Sequence, residues 1–203
     1  MFPNSSIPII GITGPSGAGK STAAQMLAAL GCAVLDGDAL AREIRAPGSP
    51  VPEQLAARFG RDILEGGILN RQLLAERAYS NDEERRALNK ITHPAITELA
   101  MKRAAQLPPD TPAIAIDAAA LPESGLMRYL DHIIFTEAPE GLRLARIMAR
   151  DGISEEAALH RITAQKKIQY VPAAGLGYTI LKSEESEAAW THALGKILEG
   201  IVR

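Results

Sequence analysis

The segment Gly14-Pro15-Ser16-Gly17-Ala18-Gly19-Lys20-Ser21-Thr22 decides the fold that this sequence predicts. It follows the apolar run 7–13 and precedes an alanine- and leucine-rich stretch with helical spacing. A buried strand, a glycine-rich turn and a helix, in this order, are the context that the phosphate-binding pattern G-x-x-x-x-G-K-[S/T] requires. The alternative, a glycine-rich turn that opens an ordinary helix, explains less of this pattern. We therefore predict a P-loop that binds a nucleoside triphosphate.

The residue types in this segment suit a polyphosphate ligand. Glycines let backbone N–H groups turn inward around phosphate oxygens, and the amino end of the next helix adds partial positive charge. Lys20 is placed to neutralise the β- and γ-phosphates, the Ser21 hydroxyl to complete the shell of a bridging Mg²⁺ ion, and Thr22 to assist at the α-phosphate. The predicted ATP-binding residues of the loop are Gly14, Gly17, Ala18, Gly19, Lys20, Ser21 and Thr22.

Composition excludes several other classes of protein. The 203 residues carry a formal net charge of −2, which provides no electrostatic footprint for nucleic acid or an anionic membrane. The single cysteine, Cys32, lies in an apolar stretch and is expected to be a small core residue. No apolar run approaches the roughly 20 residues of a membrane span, and the first residues lack the features of a secretion signal. We expect a cytoplasmic protein that is a monomer or a weak homo-oligomer.

Two carboxylates follow the second predicted strand, 32–35. In an open α/β sheet the carboxyl ends of the strands form the ligand-binding edge, so Asp36 and Asp38 are expected near the transferred phosphoryl group. A carboxylate there accepts the proton of an attacking hydroxyl or organises the magnesium shell. The alternative is that Asp36 or Asp38 caps the helix predicted at 39–44. We assign the chemical role to Asp38 and a supporting role to Asp36.

Residues 46–110 are predicted to be a helical insertion. Pro47, Gly48 and Pro50 break the α/β pattern, and a largely helical stretch then continues to about residue 106. We expect interruptions at Gly60 and at Glu65-Gly66-Gly67, and an internal break at His93-Pro94. Its outward-facing arginines are mostly expected to be solvated. A helical insertion at this place in a P-loop fold commonly holds the second substrate, so some of these cations are expected to meet its phosphates.

The remaining chain predicts the rest of a parallel sheet and a lid. A third strand, 112–117, ends in Asp117, which is the pattern of a strand that positions an acidic group beside Mg²⁺. A fourth strand covers 132–136, and a last strand, 178–181, precedes a helix over 185–202 in which Trp190 packs on the sheet. Arginines line the helix 138–150, and a basic helix follows Ser154, predicted to be its N-cap. We interpret 151–172 as a lid over the triphosphate, with a solvated amphipathic helix as the alternative. The helix before the lid carries Arg143, Arg146 and Arg150, and the basic helix of the lid carries Arg161, Gln165, Lys166 and Lys167.

Alternating strands and helices predict an α/β protein with a P-loop NTPase kinase fold, a three-layer α/β/α arrangement around a parallel sheet. We predict one domain over 1–203, with its core in 7–45, 112–150 and 176–203. The chain lacks an Asn-Lys-x-Asp segment for reading guanine, which argues against a GTPase. It is also short for a motor or transporter ATPase. A small-molecule kinase agrees best with the remaining features.

The sequence resembles the dephospho-coenzyme A kinase family over most of its length. The resemblance lies in the P-loop, Leu35–Glu43, Ala46–Pro50, Phe59-Gly60 and Gly67–Leu74, and continues through Ile91–Pro94, Met148–Ser154 and Arg161–Gln165. It implies Mg²⁺-dependent transfer of the ATP γ-phosphoryl group to the ribose 3′-hydroxyl of dephospho-coenzyme A, the last step of coenzyme A synthesis.

The resemblance also implies roles for individual residues. Asp38 matches the family's general base, Arg71 its acceptor-side arginine and His93 its acceptor-domain histidine. The family's lid-side cations correspond to Arg146, Arg150 and Arg161. The catalytic set is then Asp38, Lys20 and Arg150, with Arg146 and Arg150 also binding ATP. The acceptor-binding set is Asp36, Asp38, Arg71, His93, Asp117, Glu123 and Arg161.

Three segments depart from the family pattern. Asp117–Glu123 keeps both acidic ends of an Asp-x-Pro-Leu-Leu-Phe-Glu segment but not its proline and phenylalanine. Leu176–Lys182 lacks the asparagine expected near the adenine, and Lys166 and Lys167 stand where the family usually has arginine. These departures leave two alternatives open: another nucleoside or nucleotide kinase of this fold, and a regulatory paralogue that binds nucleotide without catalysis.

Overall fold

The structure is a computed structural model that describes residues 7–118, 121, 125–165 and 176–202. It has two compact units. The P-loop unit comprises the described residues of Pro3–Leu35 and Leu107–Arg203, and the helical unit comprises Asp36–Gln106. Within the described ranges, no helix is both long enough and apolar enough to cross a membrane.

The elements follow one another along the chain in the order predicted for an α/β protein with a helical insertion. They are β1 (Ile9–Thr13), α1 (Lys20–Ala29), β2 (Ala33–Asp36), α2 (Gly37–Glu43), α3 (Val51–Phe59), β3 (Leu64–Glu65), β4 (Ile68–Leu69), α4 (Arg71–Ala78), α5 (Asp82–Ala104), β5 (Ile114–Asp117), β6 (His132–Glu137), α6 (Glu140–Asp151), α7 (Glu155–Gln165), β7 (Gly177–Lys182) and α8 (Glu187–Ile201).

A five-stranded sheet of order β2-β5-β1-β6-β7 forms the centre of the P-loop unit. β1 pairs in parallel with both β5 and β6, and β6 pairs in parallel with β7. β1 is therefore the central strand, buried along its whole length, and its carboxyl end leads directly into the glycine-rich loop. This confirms the predicted α/β class with a parallel sheet.

Apolar side chains from α1 and α8 cover one face of this sheet. Leu27 of α1 and Trp190 and Leu194 of α8 pack in one cluster with Ile10 and Ile12 of β1. Trp190 thus packs on the sheet as predicted. Cys32 belongs to the same cluster and is 6% exposed, and burial raises the pKa of its thiol. Its role as a small core residue is confirmed.

The helical unit differs from the sequence prediction at His93-Pro94. α5 continues unbroken through Pro94, so the break expected at His93-Pro94 is wrong. Proline removes one helical hydrogen bond, but Leu88 before it and Ile96 after it pack in the same apolar cluster, and this packing holds both halves of the helix in line. The interruption predicted at Glu65-Gly66-Gly67 is present, and there Gly66 and Gly67 turn a short antiparallel hairpin, β3–β4.

Candidate functional site

The P-loop leads into the amino end of α1, which is open to an anion. Gly19 precedes the helix in a left-handed conformation, with φ of 105°. Among the described residues, no side chain caps this end, and the first turn contains no acidic residue. The first N–H groups of a helix lack intrahelical acceptors and carry partial positive charge, so this end can bind phosphate oxygens.

The Lys20 side chain folds back into the loop. Its Nζ donates to the carbonyl oxygens of Gly14, at 2.9 Å, and Pro15, at 3.2 Å. Because a P-loop lysine reaches the β- and γ-phosphates, the γ-phosphate of a bound nucleotide would lie on the Gly14–Ser16 side of the loop. The exposed residues Ser21 and Thr22 lie in the first turn of α1.

α6 packs closely against the outer side of the loop. A Cβ atom on Gly17, whose φ is 78°, would lie 2.8 Å from the carbonyl oxygen of Arg143, so only glycine permits this approach. Arg143 Nε donates to the Ser16 carbonyl at 2.9 Å, and Arg146 Nη1 donates to the Gly17 carbonyl at 3.1 Å. Partial burial lowers the pKa of Arg143, which still remains a cation.

Arg143 was not among the predicted site residues. The signal for it was in the sequence, because positions 143, 146 and 150 are spaced by three and four residues and share one face of a helix. The predicted ligand Arg146 lies on the loop as a lid-side cation should, although it contacts a backbone carbonyl in this structure.

A cavity of about 180 Å³ adjoins the loop on the side of Thr22. Trp190 forms one wall, and its ring approaches Gly19 so closely that a Cβ atom there would be 3.0 Å from Cη2. Trp190 Nε1 donates to the carbonyl of Lys182 at 2.9 Å. Ser183 also lines the cavity, and its Oγ is buried without a hydrogen-bond partner among the described residues. A planar apolar wall beside polar groups is suited to a nucleoside.

Two predicted oxygen ligands lie close to the loop. Ser21 offers a hydroxyl, a hard donor of the type that Mg²⁺ accepts. Asp117 ends β5, and its Cα is in register with that of Ile12 on the central strand, so it lies at the edge of the sheet beside the start of the loop. In the part of the chain that the structure describes, no three His, Cys, Asp or Glu side chains gather as a metal site requires.

Two arginines that the sequence assigned to a lid, Arg150 and Arg161, are joined by one carboxylate. Asp151 accepts hydrogen bonds from Arg150, at 2.7 Å and 2.9 Å, and from Arg161 Nη1, at 2.5 Å. The hydrogen bonds from Arg150, followed by the charges of both arginines, hold the pKa of the Asp151 carboxyl below its usual range. The structure thus brings together Arg150 and Arg161, which the sequence predicted separately.

The carboxyl-terminal end of α7, within the segment predicted to be a lid, contacts the loop. α7 begins after Ser154, whose Oγ accepts from Ala157 N–H at 3.3 Å, which confirms the predicted cap. At its last residue, Gln165 forms two hydrogen bonds with Ser16. Lys166, Lys167 and the rest of the predicted lid to residue 172 lie outside the described residues, as does Glu123.

In the helical unit, the two candidate carboxylates have different environments. Asp36 is the N-cap of α2, and its Oδ1 accepts from the N–H groups of Asp38, at 2.8 Å, and Ala39, at 3.1 Å. The capping alternative therefore applies to Asp36. Asp38 lies in the first turn of α2 with an exposed side chain.

Arg45, which sequence reasoning did not single out, lies among the predicted acceptor residues of the helical unit. Its Nε donates to the carbonyl of Ala41 at 2.6 Å. Burial and then the charge of Arg71 lower the pKa of Arg45, while the carboxylate of Asp38 acts in the opposite direction. Arg45 is thus close enough to interact with both Asp38 and Arg71, and the two arginines provide positive charge for an anion. His93 is half-buried in α5.

Comparison with known proteins agrees with this arrangement. The family model for dephospho-CoA kinase matches residues 8–171. A dephospho-CoA kinase of Syntrophotalea carbinolica is 42% identical over 159 residues, covering 77% of this chain and 75% of that protein. One from Corynebacterium efficiens is 40% identical over 158 residues, covering 77% and 79%. Among solved structures, a Thermus thermophilus protein has a TM-score of 0.73 and 31% identity, covering 96% of this chain and 97% of its own.

Proposed function

The chain belongs to the dephospho-CoA kinase family, and from this membership we propose that it transfers the γ-phosphoryl group of ATP to the ribose 3′-hydroxyl of dephospho-coenzyme A, giving coenzyme A. One observation supports the proposed binding of ATP, the phosphoryl donor. No described side chain caps the amino end of α1, which follows a loop around which Lys20, Arg143 and Arg146 are gathered. Three cations beside a helix amino end suit a polyphosphate.

We place the triphosphate in the P-loop with its γ-phosphate towards Gly14–Ser16. Lys20 Nζ would exchange its two loop carbonyls for β- and γ-phosphate oxygens. The nucleoside would extend past Thr22 into the cavity beside Trp190, where the ring is an apolar wall and Ser183 Oγ is a polar group in need of a partner. This pocket replaces the asparagine contact that the sequence lacks.

Mg²⁺ is the proposed metal. When bound, it would neutralise charge that develops on the β- and γ-phosphates. Ser21 is its proposed protein ligand, and its exposed hydroxyl at the start of α1 is suitable for that task. Asp117, half-buried at the sheet edge, is proposed to interact with the Mg²⁺ ion indirectly, through water molecules bound to the ion.

The helical unit is the proposed acceptor-binding part of the chain, corresponding to the insertion predicted at about 46–110. Arg71, with Arg45 beside it, would bind acceptor phosphates, and His93 and Glu123 remain proposed contacts. Asp38 is the proposed general base, orienting or deprotonating the 3′-hydroxyl. Its exposed carboxylate is suited to this role because Asp36 already caps the helix. Asp36 would then keep α2, and hence Asp38, in place.

The lid, predicted at about 151–172, is proposed to close over the transferred group. Arg146, Arg150 and Arg161 would supply the charge that phosphoryl transfer needs, with Arg150 in the catalytic set. In this structure Asp151 holds Arg150 and Arg161 together as a pair. Since the two cations share one carboxylate, the group keeps positive charge for the phosphates.

A direct assay tests the proposal. Purified protein is incubated with Mg²⁺-ATP and dephospho-coenzyme A, and coenzyme A and ADP are quantified by chromatography. We expect equal amounts of the two products, with Lys20→Met reducing turnover by about 10²–10³-fold because one preorganised charge is lost. ADP formation with other nucleoside acceptors but not with dephospho-coenzyme A would overturn the acceptor assignment. ATP binding without transfer to any acceptor would indicate a regulatory protein.

A further inference from the structure

The side chain of Gln165 holds one residue of the P-loop through both ends of its amide. Its Oε1 accepts from the backbone N–H of Ser16 at 2.9 Å, and its Nε2 donates to Ser16 Oγ at 2.9 Å. The N–H of Ser16 can only donate, so the oxygen of the amide must face it and the nitrogen must face the hydroxyl. Gln165 is half-buried. A side chain bound at both ends has a single orientation.

This contact lies at the end of the loop that receives the γ-phosphate. Lys20 Nζ marks that end, since it bonds to the carbonyls of Gly14 and Pro15, and Ser16 is the next residue. The loop residues after Ser16 lead to the open amino end of α1, where the other phosphates bind. Gln165 therefore contacts the part of the loop that would lie beside the γ-phosphate, the group that ATP has and ADP lacks.

The same helix carries the lid arginine network. Arg161 and Gln165 are four residues apart on α7 and share a face of the helix. Arg161 bonds to Asp151, which also bonds to Arg150 at the end of α6. α6 has its own attachments to the loop, through Arg143 and Arg146. The end of α7 is attached to the loop through Gln165.

We propose that Gln165 is a positioning residue, which docks α7 on Ser16 and so holds Arg161 and Arg150 over the γ-phosphate during transfer. This inference rests on the proposed function. Its first test is Gln165→Ala. Because two hydrogen bonds are lost, kcat/KM for ATP should fall about ten-fold. The Kd for ADP, which lacks the γ-phosphate, should stay within about twofold of the wild-type value.

Binding is measured by the fluorescence of Trp190, which is the single tryptophan of the chain and lies against Gly19. Titrations with ATP and with ADP need no acceptor, so they remain informative even if dephospho-coenzyme A is not the substrate. Thr163→Ala, at an exposed site on the same helix, is the matched control and should leave the Kd for ATP and the Kd for ADP unchanged. If Gln165→Ala does not fold, Gln165→Asn, one methylene shorter, provides the same comparison.

A double-mutant cycle gives the decisive result. Ser16→Ala keeps the backbone N–H and loses only the hydroxyl, so alone it should lower kcat/KM by about threefold. In the Gln165→Ala background it should have no further effect, since its partner is already absent. Additive losses, an equal loss of ADP and ATP affinity, or wild-type kcat/KM in Gln165→Ala would each overturn the proposal. Failure to form coenzyme A in the wild type would instead overturn the proposed function.

Discussion

The ring of Trp190 lies directly against Gly19, and a Cβ atom on residue 19 would be 3.0 Å from Cη2 of the indole. Gly19 also has φ of 105°, a value that side-chain-bearing residues rarely adopt. Two separate constraints therefore require glycine at the residue that precedes α1. One is the backbone conformation of the loop, and the other is the packing of the last helix against it.

Gly19→Ala should weaken ATP binding at least ten-fold, because both constraints shift the backbone that turns towards the phosphates. The strained conformation should also lower the free energy of unfolding by about 1–2 kcal/mol. Calorimetric titration and chemical denaturation measure the two effects. Gly31→Ala is the control, since Gly31 has φ of 87° but its nearest neighbour would be 3.6 Å away. Gly31→Ala should lose stability and keep its ATP affinity. If Gly31→Ala and Gly19→Ala lost the same ATP affinity, the proposed effect of the contact between Trp190 and Gly19 on ATP binding would be contradicted.

Asp38→Asn should lower kcat by about 10²–10⁴-fold, the usual contribution of a positioned base. The free energy of unfolding should fall by only about 0.3–1 kcal/mol, because the first turn of α2 loses one exposed carboxylate charge. Asp36→Asn should preserve both quantities, because asparagine caps a helix as well as aspartate does. Asp36→Ala should lower the free energy of unfolding by about 1 kcal/mol. Steady-state kinetics and denaturation separate the two positions. Near-normal kcat in Asp38→Asn would exclude Asp38 as the base.

Asp151→Ala should change activity more than stability. Its ion pairs involve Arg150 and Arg161 side chains that are 60% and 52% exposed, so solvent screens them and their loss should cost about 0–1 kcal/mol. Both arginines, however, lose the carboxylate that orients them. We expect kcat/KM for ATP to fall about ten-fold while the melting temperature shifts by only a few degrees. A variant as active as the wild type would show that the arginines need no orientation.

His132 should make the protein less stable in mild acid. Burial lowers the pKa of His132, whose Nε2 lies 2.9 Å from Thr179 Oγ1. The unfolded chain then binds more protons than the folded one between the folded pKa and about 6.5, so stability is full above pH 6.5 and is lost as the pH falls through the folded pKa.

Denaturation at pH 7.5 and pH 5.5 measures this effect. His132→Gln, which can still reach Thr179, should reduce the loss of stability between the two pH values. His192→Gln, at an exposed site on α8, should show the same loss as the wild type. If His132→Gln retains the full pH dependence, other groups are responsible for it.

The parallel sheet and the positions of its strands could be predicted because short apolar runs alternate with helical spacing, and β1, β5, β6 and β7 all lie where those runs are. The choice between Asp36 and Asp38 as the cap of α2 could not, since either carboxylate has the chemistry of a cap. Pro94 was also misjudged: a local rule predicts a break, but packing on both sides of the proline keeps α5 continuous.

The sequence by itself determined where the proposed donor site lies, because a phosphate cradle needs its glycines, lysine and hydroxyl within nine consecutive residues between a strand and a helix. Only the tertiary structure decided what surrounds the cradle. Gln165 contacts Ser16, 149 residues away in the chain. Trp190, which belongs to the apolar cluster on the sheet, packs against Gly19. Such contacts depend on where helices dock, which is set by packing of whole apolar faces and not by any local pattern.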